Sequence, residues 1–417
     1  MNYVRRINIV FLCTVATIFV SSLISFREFT SNGAVLLLIS QAIIAGPSIV
    51  FLIIESRRLK SLQDGMGITY QSSSSFDNSR EHNSQEDKRS IREQLCFQKV
   101  SLSNVFWLIL FTICITPAIN FVNAISRMFS VAAINDTMLN ITQNNSYLFA
   151  LFCVAFVPCV MEEIVYRGLF YQGYRRVNPL GAAFLSAFLF GVLHGNLNQF
   201  CYAFVMGIIF AFVIEATDSI LSTMIIHFIM NGWSITLLYA IPRLFEYLKN
   251  MANEAIASGD LELANSITRI LGTDNFDFNQ VFQESANTVL TDMTLVDIVR
   301  TYGLTALLGG ILAFLIYRKI AKNTGRYEYI KGLFSKDKSN VSYTMNSSKT
   351  MNASTMNTSN TMNPSNTLEG NYHRYGYGYK GEGKVNAGAL FTLPLWIAIA
   401  ICVFNLVMGE LILQGII

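Results

Sequence analysis

The sequence predicts an all-α, polytopic membrane helix bundle with about nine transmembrane helices. Hydrophobic residues make up 52% of the 417 residues and charged residues only 14%, whereas a soluble domain carries about 25% charged residues. Mean hydropathy is +0.41. The apolar residues also occur in separate runs, and crossing a bilayer takes roughly 20 apolar residues per helix.

Nine apolar segments are candidate spans. They cover residues 7–26, 33–54, 104–125, 147–166, 180–195, 199–216, 220–241, 299–317 and 389–414. The segments 180–195 and 199–216 are short for a span. The first segment follows Arg5 and Arg6 and could be a signal peptide, but it lacks a small-residue cleavage site and a second apolar segment follows at once. We therefore expect it to stay in the protein as a membrane anchor.

Basic residues cluster in three connections, and they predict the orientation through the positive-inside rule. The clusters are Arg57, Arg58, Lys60, Lys88, Arg89, Arg92 and Lys99; Arg175 and Arg176; and Arg318, Lys319, Lys322, Arg326, Lys331, Lys336 and Lys338. With nine spans and a cytoplasmic N-terminus, all three clusters fall in the cytoplasm and the acidic connection 242–298 falls outside. The sequence therefore predicts a multi-pass protein of the cell membrane with an extracytoplasmic C-terminus.

The same segmentation divides the chain into seven regions. They are an N-terminal transmembrane hairpin (1–60), a polar cytoplasmic linker (61–99), a transmembrane core with the candidate catalytic residues (100–241), an extracytoplasmic loop (242–298), a transmembrane helix with a basic flank (299–335), a low-complexity cytoplasmic tether (336–388) and a C-terminal transmembrane helix (389–417). The tether repeats Thr-Met-Asn and then becomes rich in Gly and Tyr, a composition that cannot bury a core. A partner that binds this tail is an alternative role.

Three ionisable residues, Glu162, Glu163 and Arg167, occur at the end of one apolar segment. Charged side chains are costly at membrane depth, so a span that keeps three of them together indicates a functional site. Glu163 and Arg167 are four residues apart with the glutamate first, the better order for an ion pair on a helix. Glu162 points about 100° away from Glu163 and is the candidate general base. The alternative is a helix end at the cytoplasmic interface, where these charges are solvated.

Two of the four histidines lie in apolar segments. His194 ends the run that starts at Phe184, and Phe190 lies four residues before it on the same helix face. His227 lies in the middle of its segment, with Asn231 four residues on and thus on its face. An imidazole and an amide both need polar partners in lipid. The alternative role for these side chains is hydrogen bonding that only holds helices together.

Three short motifs of this region resemble those of a known family, the CAAX-protease and bacteriocin-processing family of intramembrane glutamic endopeptidases. In chain order the motifs are Glu162-Glu163-x-x-x-Arg167, Phe190-x-x-x-His194 and His227-x-x-x-Asn231. The resemblance covers roughly residues 145–240 and leaves 242–417 uncovered. Each motif alone is short enough to occur by chance, but the ordered set within membrane segments is specific.

The resemblance implies an endopeptidase that hydrolyses peptide bonds without a covalent intermediate. In such an enzyme Glu162, with His194, activates a water molecule for attack on the scissile carbonyl. His227 and Asn231 stabilise the oxyanion that develops on the carbonyl oxygen. The remaining motif residues support this catalytic set; they are Glu163, Arg167 and Phe190.

No cofactor or metal is expected at this site. Two histidines and two glutamates could in principle bind zinc, and this stays the less favoured alternative. The sequence has no H-E-x-x-H helix, and Arg167 disfavours a cation close to the candidate ligands. The seven cysteines form no C-x-x-C pair and most lie in apolar segments, which is typical of small buried hydrophobic residues.

The expected partners are a peptide or membrane-protein substrate and membrane lipid. A net charge of +3 gives no indication of nucleic-acid binding. Two other function classes stay open, a proton-coupled transporter and a catalytically idle scaffold or immunity protein. The chain has no clear internal repeat of the kind found in transporters, and a scaffold does not need an intact motif set. The residues do not select between prenylated peptides, bacteriocin peptides and other membrane proteins as substrates.

We predict that deletion of residues 340–384 leaves peptide hydrolysis largely intact, because this low-complexity segment contains none of the motif residues. Turnover of one quenched peptide by the purified deletion variant and by the wild type checks this. A deletion variant that folds but does not cleave the peptide would show that the tail takes part in the reaction.

Overall fold

The computed structural model describes residues 3–24, 26–69, 91–130, 135–271, 294–334 and 387–413. Within these ranges the regular structure is helical and no strand occurs. Three predicted regions lie partly outside the described residues: the polar linker 61–99, the loop 242–298 and the tether 336–388. The predicted all-α membrane helix bundle is confirmed.

Twelve helices of the described chain are numbered here in chain order. They are α1 (Tyr3–Ser22), α2 (Gly33–Thr69), α3 (Leu102–Ser126), α4 (Asn135–Asn144), α5 (Tyr147–Arg175), α6 (Pro179–Val192), α7 (Leu197–Thr217), α8 (Ile220–Ser258), α9 (Leu261–Leu271), α10 (Leu295–Asn323), α11 (Tyr327–Leu333) and α12 (Leu393–Leu413). Shorter helical turns occur at Phe26–Glu28, Ile91–Gln94 and Ala387–Leu390. Helix α5 contains two π-helical stretches, Phe152–Phe156 and Glu163–Tyr171.

In the described part of the chain, eight helices are long and apolar enough to cross a membrane: α1, α2, α3, α5, α7, α8, α10 and α12. The ninth predicted span, 180–195, forms α6, which has only 14 residues. At about 1.5 Å per residue it rises about 21 Å, less than the roughly 30 Å of the hydrocarbon core. It begins beside the end of α5 and leads to the start of α7. Over the described residues, eight of the nine predicted spans are therefore long enough to cross a membrane, and 180–195 forms a short apolar helix instead.

Polar contacts join helix ends at one end of the bundle, which we call the basic end. The Tyr174 hydroxyl of α5 donates to Oδ1 of Asn8 on α1 at 2.6 Å, and Arg6 of α1 pairs with Glu55 of α2. Asn323 at the end of α10 donates to Asn104 of α3 at 3.3 Å. The described members of the three basic clusters lie here, as the positive-inside pattern requires of one membrane face. Which side of the membrane this end faces stays a prediction.

A buried ionic cluster closes the basic end between α5, α7 and α10. Arg175 Nη2 donates to Glu215 Oε2 at 2.7 Å, and the Tyr171 hydroxyl donates to the same carboxylate. Arg326 donates through Nε to the Glu215 carbonyl at 2.5 Å and lies 3.7 Å from Asp218. Arg175 is therefore a buried ion-pair partner rather than a solvated loop residue. Removing one member would leave an uncompensated buried charge.

The opposite end of the bundle is joined by asparagine contacts around α4. Asn140 accepts from the Gly33 backbone N–H at the start of α2 at 2.7 Å, and the Tyr239 hydroxyl of α8 donates to the Asn145 carbonyl at 2.7 Å. Helix α8 has 39 residues and rises about 58 Å, so it continues well past this end. Gly259, with φ +81°, ends α8 and lets the chain turn back into α9.

Helices α6 and α7 pack at close range, and this packing sets the position of the loop that carries His194. Asn178 caps α6 by accepting from the Gly181 N–H, and a proline occupies the first turn, both typical of a helix start. A Cβ atom added to Gly207 would lie 2.6 Å from the Cβ of Ala187. Only glycine fits at this contact, so α7 lies directly against α6.

We predict that Gly207→Ala destabilises the folded protein by about 1–3 kcal/mol, because overpacking forces α6 and α7 apart. The midpoint of thermal unfolding in detergent measures the change. Gly46→Ala on α2 is the matched control, since an added Cβ there has nothing within 4 Å. A Gly207→Ala melting point at or above that of the wild type would contradict this packing.

Candidate active site

The three charged residues of the first motif lie near the midpoint of α5, and the helix continues from them to Arg175. The side chain of Glu163 is 0% exposed and that of Arg167 is 2% exposed. Glu162 is 14% exposed, so it is the carboxylate of the pair that a small molecule can reach. The alternative of a helix end with solvated charges is wrong, because the helix does not end there and two of the charges are buried.

The first π-helical stretch of α5 has a cause in the sequence. Pro158 has no backbone N–H, so the carbonyl of Val154, four residues earlier, lacks its normal helical donor. The Nδ2 of Asn231 on α8 donates to this carbonyl at 3.2 Å. A polar side chain of one helix thus satisfies a backbone group of another, as the membrane interior requires. Asn231 therefore has the structural role that the sequence left as an alternative, and its second amide N–H is not used in this bond.

The carboxylate of Glu163 is held from two helices. Its Oε1 lies 3.2 Å from Arg167 Nη1 on the same helix, which is the ion pair predicted from their spacing. The same oxygen lies 3.0 Å from His227 Nδ1 on α8. Since a carboxylate only accepts, Nδ1 carries the proton in this bond. Thr223, one turn before His227, also lies within hydrogen-bonding reach of Glu163.

Glu162 lies between α2 and α8. Gln41 of α2 donates through Nε2 to Glu162 Oε1 at 2.8 Å. The other oxygen, Oε2, lies 3.8 Å from His227 Nε2. Because His227 Nδ1 donates to Glu163, a neutral His227 presents the lone pair of Nε2 towards Glu162. At 3.8 Å these two atoms are beyond direct hydrogen-bond distance, but they place a carboxylate and an imidazole side by side, the two kinds of group that acid–base chemistry uses.

The ring of Phe190 on α6 contacts three of the motif side chains, Arg167, His194 and His227. The Arg167 guanidinium lies 4.2 Å above it and 4.9 Å from the ring of Phe210, so two aromatic rings face this cation. The rings of His194 and His227 meet Phe190 edge-on at 5.0 and 6.4 Å. These contacts join α5, α6, α7 and α8 around one buried cation.

His194 follows α6, and its ring is oriented by the backbone. Its Nδ1 lies 2.9 Å from the Phe190 carbonyl, which can only accept, so Nδ1 donates. In the neutral ring Nε2 is then left as an acceptor. Over the described residues, no hydrogen bond or ion pair joins His194 to Glu162. Of the two motif histidines, His227 is the one that the structure places beside Glu162, whereas the resemblance pairs Glu162 with His194.

The loop after His194 is held by residues far away in the sequence. Gly195 adopts φ +67°, which favours glycine. Asn196 caps α7 by accepting from the Gln199 N–H at 3.0 Å, and it donates to the Ser130 hydroxyl at 3.4 Å. Ser130 in turn donates to Glu410 of α12 at 2.7 Å. The C-terminal helix is thus connected to the His194 loop.

Three residues that reasoning from sequence missed are Gln41, Glu215 and Glu410. Each is a single amide or carboxylate within a predicted apolar span, which is a signal for an intramembrane polar contact. The signal was therefore present, but it does not say which helix supplies the partner.

Among the described residues, no group of three or more His, Cys, Asp or Glu side chains is placed to hold a metal ion. The geometry instead joins Glu163, Arg167 and His227 to one another. The site offers one partly exposed carboxylate, an imidazole beside it, and a second carboxylate with its charge balanced. This set can accept a proton from a water molecule and can stabilise a negative charge that develops nearby.

A comparison with known protein families identifies the same part of the chain as the motifs do. Residues 144–233 match the sequence model of a family described as type II CAAX prenyl endopeptidase Rce1-like. All three motifs lie inside this range, so the predicted resemblance to the CAAX-protease family is confirmed for this part of the chain. No curated protein and no solved structure matches the chain. At the family level, the match indicates a membrane endopeptidase.

We predict that Arg167→Lys lowers stability by about 2 kcal/mol, because an ammonium cannot replace a planar guanidinium between two rings. Thermal unfolding in detergent measures this change, and peptide turnover should fall with it. Arg243→Lys is the matched control, since Arg243 is exposed and lies 5.4 Å from the ring of Tyr239. Equal melting points for both variants would show that the two rings around Arg167 contribute little.

Proposed function

We propose that this protein is an intramembrane endopeptidase that hydrolyses peptide bonds of membrane-associated peptides or proteins, with Glu162 as the general base. One observation carries the proposal. Glu162 is a partly exposed carboxylate that faces His227 at 3.8 Å, directly beside a buried carboxylate whose charge Arg167 balances. The family match at residues 144–233 supports the reaction class.

In this reaction Glu162 takes one proton from a water molecule while the water oxygen attacks the scissile carbonyl carbon. The carbon–nitrogen bond then breaks, and Glu162 passes the proton that it took from the water to the leaving nitrogen. His194 assists Glu162. Its Nδ1 is committed to the Phe190 carbonyl, and in the neutral ring its Nε2 is left as an acceptor. General acid–base catalysis of this kind typically contributes about 10²–10⁴-fold in rate.

The oxyanion of the tetrahedral intermediate is stabilised by His227 and Asn231. Glu163 fixes the ring of His227 through Nδ1, and the Nε2–H of the imidazolium form is the donor to the oxyanion. Asn231 uses one amide N–H for the Val154 carbonyl and retains the other for the substrate. Both side chains are held in place before the reaction starts, which is what makes such groups effective in a low-dielectric site.

No metal takes part in the proposed reaction. His227 has Glu163 at one ring nitrogen and Glu162 near the other. The Arg167 cation lies 3.2 Å from Glu163, and a divalent cation on the same carboxylates would meet its repulsion. Chelation therefore tests this part of the proposal directly.

The substrate class follows from the depth of the site. Glu162 lies near the midpoint of a 29-residue helix that is apolar enough to span a membrane. A peptide reaches it from within the bilayer or from a cavity that opens on one face, so the substrate is a membrane-associated chain. The family description names prenylated CAAX peptides, which makes a farnesylated peptide one suitable probe and a non-prenylated apolar peptide the other.

We predict that Glu162→Gln lowers peptide cleavage by at least about 10²-fold, because it removes the base and keeps the shape of the side chain. Quenched versions of the two probe peptides measure cleavage by purified protein in detergent. Glu246→Gln is the control, since Glu246 is an exposed carboxylate on α8.

The same assay is repeated with a strong chelator. Cleavage that survives chelation and disappears in Glu162→Gln supports a metal-independent glutamic endopeptidase. Loss on chelation with rescue by zinc would instead favour a metalloenzyme. If the folded wild type cleaves neither peptide, the result contradicts the proposed activity and favours a transporter or a scaffold.

A further inference from the structure

Gln41 lies outside the segment that matches the family, yet it contacts the proposed base. It belongs to α2, an apolar span, and is only 6% exposed. Its Nε2 donates to Glu162 Oε1 at 2.8 Å. Its amide oxygen, Oε1, is buried and has no hydrogen-bond partner among the described residues. The amide nitrogen of Gln41 is thus hydrogen-bonded, and its amide oxygen is not.

A buried amide oxygen without a partner is uncommon, because native structures satisfy nearly all buried polar groups. Leaving it unsatisfied costs free energy, and this cost is greater in the interior of a membrane protein. The amide nitrogen and oxygen are bonded to the same carbon, and the nitrogen contacts Glu162, so Oε1 lies in the immediate surroundings of the proposed base. The orphan acceptor therefore indicates a donor that arrives with the reaction.

The attacking water supplies O–H donors for the carboxylate of Glu162 and for the unpartnered amide oxygen of Gln41. A water molecule has two O–H bonds, and Glu162 can accept only one of them as it takes the proton. The second O–H needs another acceptor if the water is to be fixed with its lone pair towards the substrate carbon. Three acceptors come into question: Gln41 Oε1, His227 Nε2 and His194 Nε2. The proposed oxyanion role commits His227 as a donor. His194 forms no hydrogen bond or ion pair with Glu162 over the described residues, whereas Gln41 is bonded to Glu162 directly.

We propose that Gln41 is a catalytic residue that orients the attacking water. Its Nε2 holds the Glu162 carboxylate in one plane, and its Oε1 accepts the hydrogen bond from the second O–H of the water. The water loses one proton to Glu162 and retains the other, which Gln41 directs. This inference rests on the proposed endopeptidase activity and adds α2 to the helices that form the site.

A purely structural role makes different predictions. If Gln41 only joins α2 to α5, its removal lowers thermal stability and reduces activity independently of Glu162. If it orients the water, its removal lowers kcat and leaves KM nearly unchanged, because it acts on the water and not on the peptide. Its effect should also vanish once Glu162 no longer activates that water.

The test compares Gln41→Met with the wild type in the cleavage of the farnesylated and the non-prenylated quenched peptides. Methionine keeps the length of the side chain and suits an apolar helix, but it removes both hydrogen bonds. We expect kcat to fall about 10²-fold, with KM within about twofold. In the Glu162→Gln background the same substitution should cause no further loss. Ser48→Ala is the control, because Ser48 is also buried on α2 with an unpartnered hydroxyl.

A second variant tests the same proposal if Gln41→Met folds poorly. Gln41→Glu retains an acceptor oxygen and loses the donor, so at alkaline pH it should retain more kcat than Gln41→Met. The reverse order, or a kcat within twofold of wild type for Gln41→Met, would overturn the water-orienting role while Glu162→Gln stays inactive. A folded wild type that cleaves neither peptide would overturn the proposed activity itself, and this inference with it.

Discussion

The buried carboxylate of Glu163 is the constraint around which the site is built. A charge that is 0% exposed is stable only with an opposite charge and hydrogen-bond donors around it. Arg167 supplies the charge from the same helix, and His227 supplies a donor from α8. Through this one carboxylate the ring of His227 is fixed, and its second nitrogen then faces Glu162. The proposed base is thus positioned by a neighbour that does not itself react.

The same requirement recurs along α5, where polar groups are satisfied by other helices. Pro158 leaves the Val154 carbonyl without a helical donor, and Asn231 supplies one. At the basic end, Arg175 pairs with Glu215 of α7. Because each of these bonds joins α5 to a different helix, its rotation and depth are fixed at several points. Because α5 is held in place, Glu162 keeps its position relative to His227, and acid–base chemistry requires such a constant geometry.

The site extends beyond the segment that matches the endopeptidase family. Gln41 of α2 contacts Glu162, and Glu410 of α12 reaches the loop after His194 through Ser130 and Asn196. Both helices lie outside residues 144–233. The N-terminal hairpin and the C-terminal helix are thus part of the surroundings of the site, so an isolated segment 144–233 would lack contacts that orient its polar groups.

The sequence by itself determined the helical membrane class, the motif set and the Glu163–Arg167 pair, because length, hydropathy and a spacing of four residues act within one helix. Only the tertiary structure decided that His227 is the motif histidine beside Glu162, that Asn231 bonds to Val154 and that Gln41 contacts Glu162. These are contacts between helices. They depend on how each helix is rotated and how deep it lies, and the order of residues along one helix does not encode either quantity.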